Sequence, residues 1–214
     1  MNNINKIEKL SEIERKIKEC RRCRLYLHRK NPVPGEGDPE KGIIFIGEAP
    51  GAQEDIFGRP FVGAAGKVLN ELLGLIDLKR EDVFITNVVK CRPPNNRDPT
   101  HEEIEKCSIF LDKQLEIIKP KIIVTLGRHS TKYIFSKMGK KFESILKVHG
   151  KVVQWNFHGQ EIKIFPTLHP AAALYNPGLR KILETDFKKL KNIIMSELRY
   201  KKRCNTLDKY FEFW

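Results

Sequence analysis

Apolar residues recur at three- and four-residue steps over residues 4–19, where Ile4, Ile7, Leu10, Ile13 and Ile17 are spaced by mostly charged positions. That period predicts an amphipathic helix. A different pattern follows: Ile43, Ile44, Phe45 and Ile46 form a short unbroken apolar run, the mark of a strand buried on both faces. Residues 83–89 and 121–126 repeat it, and 152–157 with 161–165 flank a His158-Gly159 turn as a hairpin or as the last strands of a sheet. Between these runs the helical period returns. Val68, Leu69, Leu72 and Leu73 predict a helix over 66–75, and Thr100 with Glu103 forms a capping box opening a helix to about Ile118, before Pro120. Another helix starts near Arg128 or His129, and Ile182, Leu183, Phe187, Leu190 and Ile194 line a last one over 178–198. Residues 31–41 are rich in turn formers and 139–150 are irregular and basic, so both read as loops. Strands alternating with helices predict a three-layer α/β domain, residues 1–199, built on a mainly parallel sheet, with 200–214 as a separate tail.

In such a sheet, ligands bind where loops leave the carboxyl ends of the strands. The loop after Ile46 is broken by Gly47, Pro50 and Gly51, and it carries three acids, Glu48, Glu54 and Asp55. The same loop holds Phe61 between Pro60 and Gly63, a flat face for stacking, and the helix that begins just after it turns free amide groups outward. Asn87 falls near the end of the second strand, Arg92 and Arg97 follow in a rigid loop where they can meet phosphate, and His169 opens the loop after the last strand. His101, His129, His149 and His158 lack such a context and read as surface or helix-start residues.

Charge narrows the partner. Forty Lys and Arg against 27 Asp and Glu leave a formal net charge of +13, which favours a polyanion. No apolar run approaches the ~20 residues that span a bilayer. The start, Met-Asn-Asn-Ile-Asn-Lys, has no signal-peptide core, so a cytoplasmic protein is expected. Five cysteines in a reducing compartment are poor disulfide candidates. Cys20 and Cys23 form a Cys-x-x-Cys pair, and with Cys91 and Cys107 they supply four thiolates able to wrap a zinc ion or an iron–sulfur cluster. Spacing alone does not choose between these metals.

Taken together, Gly47-Glu-Ala-Pro-Gly51, Glu54-Asp55, Gly58-Arg-Pro-Phe-Val-Gly63, Asn87-Val-Val-Lys-Cys-Arg-Pro-Pro94 and His169-Pro170 resemble the signature of the family 4, iron–sulfur-containing uracil-DNA glycosylases. The resemblance covers roughly residues 16–190. It implies a four-stranded, mostly parallel sheet between helices and a [4Fe-4S] cluster on Cys20, Cys23, Cys91 and Cys107. It implies as well a uracil pocket of Glu48, Ala49, Pro50, Phe61, Asn87 and His169. In that pocket Phe61 stacks on the base, the amide of Asn87 matches the N3–H and O4 edge of uracil, and His169 donates to O2 as charge develops there. Glu48 is the first choice, and Glu54 the second, for steadying the cationic sugar or its attacking water, and Glu54 also guards the space near uracil C5 against a methyl group. In uracil-DNA glycosylases outside this subfamily, a water-activating aspartate stands where this chain has Ala49, which points to a dissociative path.

The resemblance further implies that the loop over residues 171–180 enters the minor groove of uracil-containing DNA, with Leu174 or Tyr175 as wedge and Arg180 on phosphate. Ala171 replaces the usual serine after the His-Pro pair. The tail is similar to a sliding-clamp binding box: Leu207, Tyr210 and Phe211 match its aliphatic and aromatic anchors, and Cys204 stands at the usual glutamine. The function so implied is uracil excision from single- and double-stranded DNA by a monomeric, monofunctional enzyme, starting base excision repair. Two alternatives remain: a glycosylase that also takes hypoxanthine or mismatched thymine, and a non-catalytic iron–sulfur DNA-binding accessory recruited by the clamp.

Overall fold

The computed structural model describes residues 3–211, with side chains described for residues 5–197. The chain opens with α1 (Asn3–Glu19), a 3₁₀ turn (Arg24–Leu27) and a two-residue strand, β1 (Glu36–Gly37). β2 (Ile43–Gly47), α2 (Ala52–Phe57), α3 (Ala64–Leu75) and, after a 3₁₀ turn (Arg80–Asp82), β3 (Phe84–Asn87) follow. A third 3₁₀ turn (Pro94–Asn96) leads to α4 (His101–Ile118), β4 (Ile122–Leu126), α5 (Arg128–Lys137) and α6 (Ile145–Val148). The hairpin β5 (Val153–Phe157) and β6 (Gln160–Thr167), then α7 (Ala172–Tyr175) and α8 (Pro177–Phe211), complete it.

The sheet has six strands in the order β1-β3-β2-β4-β6-β5, not the four expected. Its four central strands are parallel, and the two extra strands add antiparallel edges. Side chains alternate across the sheet as strand geometry requires. Ile44, Ile46, Ile123 and Ile164 pack on one face with Ile13 and Ile17 of α1, Leu111 and Leu115 of α4 and Ile134 of α5. Ile43, Phe45, Val124 and Phe165 pack on the other with Leu69 and Leu73 of α3 and Leu183, Phe187 and Leu190 of α8. The three-layer α/β/α expectation therefore holds.

Three local expectations are corrected. The segment read as an acidic loop after β2 contains α2, whose first turn is fixed by Glu54 accepting from the N–H of Gly51 at 3.1 Å. The segment 139–150 includes α6, and the last helix runs to Phe211 instead of 198. No helix among the described residues is long and apolar enough to cross a membrane.

Candidate active site and cysteine cluster

The carboxyl ends of β2, β3 and β6 meet a cavity of about 400 Å³. Glu48, Ala49, Pro50, Glu54, Phe61, Asn87 and His169, from four separate stretches of sequence, all line it. Gly47 makes the convergence possible: a Cβ there would lie 2.3 Å from Asn87 Oδ1 and 2.7 Å from the Phe61 ring. The Phe61 and His169 rings lie 5.7 Å apart at 31°. Asn87 is buried, and its Oδ1 has no hydrogen-bond partner among the described residues. A buried amide oxygen of this kind costs stability unless a ligand satisfies it.

His169 Nδ1 accepts from the N–H of Ala171 at 3.2 Å, so the neutral ring carries its proton on Nε2. Burial holds this imidazole down at about 4, against the pull of Glu54. Glu48 has the opposite perturbation: burial first, and the nearby negative Asp98 second, push its carboxyl up to about 7, with Arg128 opposing. Its Oε1 is buried without a hydrogen-bond partner among the described residues. Glu54 is differently employed. Its Oε1 accepts from the N–H groups of Val62 and Gly63 at 2.9 and 2.8 Å, while Oε2 holds Gly51. Asp55 lies outside the cavity: it is 2% exposed, and its Oδ1 accepts from the backbone of Lys30 and Asn31.

His129, read from sequence as a surface or helix-start residue, is the second residue of α5 and also stands beside two acids of the cavity. Its Nε2 stands 3.1 Å from Asp98 Oδ2 and 3.7 Å from Glu48 Oε2. Arg128 donates from Nε to His129 at 2.7 Å and from Nη2 to Asp98 at 3.0 Å. Of the basic groups expected near DNA, Arg97 forks onto both oxygens of Glu103 at the cavity rim, Arg92 donates to Asn96, and Arg180 is paired with Glu71 and Glu184. On α7, Leu174 is 44% and Tyr175 88% exposed. The side chains of Cys204, Leu207, Tyr210 and Phe211 lie outside the described residues.

Cys20, Cys23, Cys91 and Cys107 line a second, small cavity with Ile17, Arg29 and Phe110. Burial raises the thiols of Cys23 and Cys91 and pushes Cys107 up to about 12. Two donors already face the sulfurs: Arg29 Nη1 at 3.1 Å from Cys91 Sγ, and the N–H of Lys90 at 3.2 Å from Cys107 Sγ. Four sulfurs in a buried pocket supplied with N–H donors fit a thiolate-bound metal centre. Lys90 bridges the two cavities, since its buried Nζ donates to the carbonyl of Asn87 at 2.7 Å, to Thr86 and to Gln114.

Residues 34–199 match the model of the uracil DNA glycosylase superfamily. Over 195 residues, 91% of this chain and 89% of the relative, the sequence is 59% identical to a type-4 uracil-DNA glycosylase of Sulfurisphaera tokodaii. It is 57% identical over 192 residues to one of Saccharolobus solfataricus, 89% of each chain. The type-4 uracil-DNA glycosylase of Archaeoglobus fulgidus is 52% identical over 184 residues, 86% of this chain and 92% of the relative.

Proposed function

The chain belongs to the type-4 branch of the uracil-DNA glycosylase superfamily and excises uracil in DNA repair, and from that premise we propose how its residues do so. The observation that carries the reading is the buried Oδ1 of Asn87, without a hydrogen-bond partner among the described residues, on a side chain that lines the cavity with Phe61 and His169. An extruded uracil stacks on Phe61, gives its N3–H to Asn87 Oδ1 and takes the Asn87 amide at O4. Cytosine offers the reverse polarity at these atoms and is refused. Neutral His169 donates from Nε2–H to O2, where the departing base gathers negative charge; a single such donor is commonly worth about 3–4 kcal/mol.

Glu48 as a carboxylate faces the sugar cation and orients the water that adds to it. Ala49 supplies no acid beside it, so the glycosidic bond breaks before water bonds. Glu54 has a second role, holding the loop that carries Phe61 while closing the space near uracil C5. The enzyme acts as a monofunctional monomer on single- and double-stranded DNA in the cytoplasm. The exposure of Leu174 and Tyr175 supports α7 as the wedge that fills the vacated stack.

Cys20, Cys23, Cys91 and Cys107 would hold a [4Fe-4S] cluster, which when bound ties the end of α1 to α4 and to the segment after β3. The sequence over residues 204–211 supports clamp recruitment through Leu207, Tyr210 and Phe211. The test is release of free base from oligonucleotides carrying uracil, thymine or hypoxanthine opposite guanine. Uracil alone should be freed, leaving an uncut abasic strand. Comparable release of thymine or hypoxanthine, or strand cleavage without added base, would refute the reading.

A further inference from the structure

Phe61 occupies a strained backbone state. Its φ is +50°, a left-handed conformation that a bulky residue adopts only when its surroundings impose it. The imposing groups are visible. On one side, the carboxylate of Glu54 takes the two N–H groups that follow Phe61. On the other, Arg80 donates from Nη1 to the carbonyl of Phe61 at 2.9 Å and from Nη2 to the carbonyl of Pro60. Arg80 is itself fixed from behind, because its Nε donates to Glu36 Oε1 at 2.5 Å, and Arg59 takes Oε2 of the same carboxylate at 2.6 Å. Beneath the bend, a Cβ on Gly66 would lie 1.8 Å from the Phe61 carbonyl oxygen, so α3 leaves just enough room for this one conformation.

Arg80 does not line the base cavity, and the purpose of its fork is not solubility: its side chain is only 17% exposed. We propose that Arg80, anchored by Glu36 of β1, is a positioning residue that holds the Phe61 loop in its left-handed bend and so presents the ring face to the extruded base. The inference rests on the reading of Phe61 as the stacking platform. It also accounts for β1, since the two-residue edge strand places Glu36 where it can brace the arginine. Releasing either carbonyl lets the backbone at Phe61 relax toward negative φ, which swings the ring out of the cavity. Base binding should then suffer before the chemical step does.

The test is a double-mutant cycle on a uracil-containing single strand, reading the half-saturating concentration and the maximal rate of single-turnover excision separately. Arg80→Met should raise the half-saturating concentration about 10- to 100-fold, the range that loss of a stacking aromatic produces. Its maximal rate should fall much less. Phe61→Ala should show a loss of the same kind, and the double variant should be no worse than Phe61→Ala alone, because Arg80 acts only through the ring. Glu36→Gln, a milder change that keeps the fold if Arg80→Met does not, should shift the same constant in the same direction and lose that effect in the Phe61→Ala background. Losses that multiply in the double variant, or an unchanged constant in Arg80→Met, would overturn the proposal. If Phe61→Ala itself leaves the constant unchanged, the platform reading fails, and the positioning role falls with it.

Discussion

Replacing Asp98 by asparagine should move the acid limb of the pH–rate profile to lower pH. In the proposed mechanism Glu48 acts as a carboxylate, and its pKa of about 7 places half-ionisation close to neutrality. The carboxylates of Glu48 and Asp98 lie within 4.8 Å of one another. Two like charges at that separation repel by about 1 kcal/mol at the dielectric of water, and by several times that where solvent is scarce. Asp98 is 58% exposed, which keeps the repulsion near the lower end, about 1–1.5 kcal/mol, or roughly 0.7–1 pH unit. Arg128, released from Asp98, acts in the same direction. At pH 6, about a tenth of Glu48 is ionised in the wild type and about a third to a half in Asp98→Asn, so kcat/KM should rise about 4- to 5-fold there. Well above neutrality the two profiles should converge. The limb should persist in His129→Gln, because it belongs to Glu48; burial, ahead of the opposing pull of Asp98, lowers the imidazole below its ordinary value. An acid limb that stays in place in Asp98→Asn, or moves upward, would show that ionisation of Glu48 does not gate the reaction.

Other perturbations separate the remaining roles. Asn87→Ala should cut uracil excision by about 10²-fold and narrow the preference over cytosine, since two base-edge hydrogen bonds are lost; competition between the two bases in one oligonucleotide reads this directly. His169→Ala should lower the single-turnover rate by about 10²–10³-fold with little change in DNA affinity, and the wild type should show no limb from His169 between pH 5 and 8, because its pKa lies at about 4. Cys107→Ser should lower the iron and sulfide content, bleach the visible absorbance and depress the melting temperature, with a loss of activity that follows the loss of fold.

The parallel core and its helices were legible because each relies on a local pattern. Ile43, Ile44, Phe45 and Ile46 cannot serve a half-exposed strand, and Thr100 with Glu103 announces its helix by the same hydrogen bonds the structure contains. β1 left no such trace: Glu36 and Gly37 have no strand pattern, and they pair only because the edge of β3 lies beside them. α2 was hidden behind Pro50 and Gly51, and the cap that starts it comes from Glu54, an acid with two other amides to hold. Asp55 looked like its neighbours in sequence, yet it points away from the cavity to bind the backbone at Lys30. His129 could not have been found locally. It meets Glu48 only because β4 pairs beside β2, a juxtaposition that belongs to the sheet order and to no single segment.

The most direct measurement is the single-turnover rate of uracil release by Glu48→Gln, an isosteric change that removes the negative charge and keeps the volume. With the binding of abasic-site DNA followed in parallel, the rate should fall at least about 100-fold while affinity stays within a few-fold of wild type. A Glu48→Gln enzyme that frees uracil at nearly the wild-type rate would contradict the proposal that the half-buried carboxylate of Glu48 faces the sugar as the base leaves.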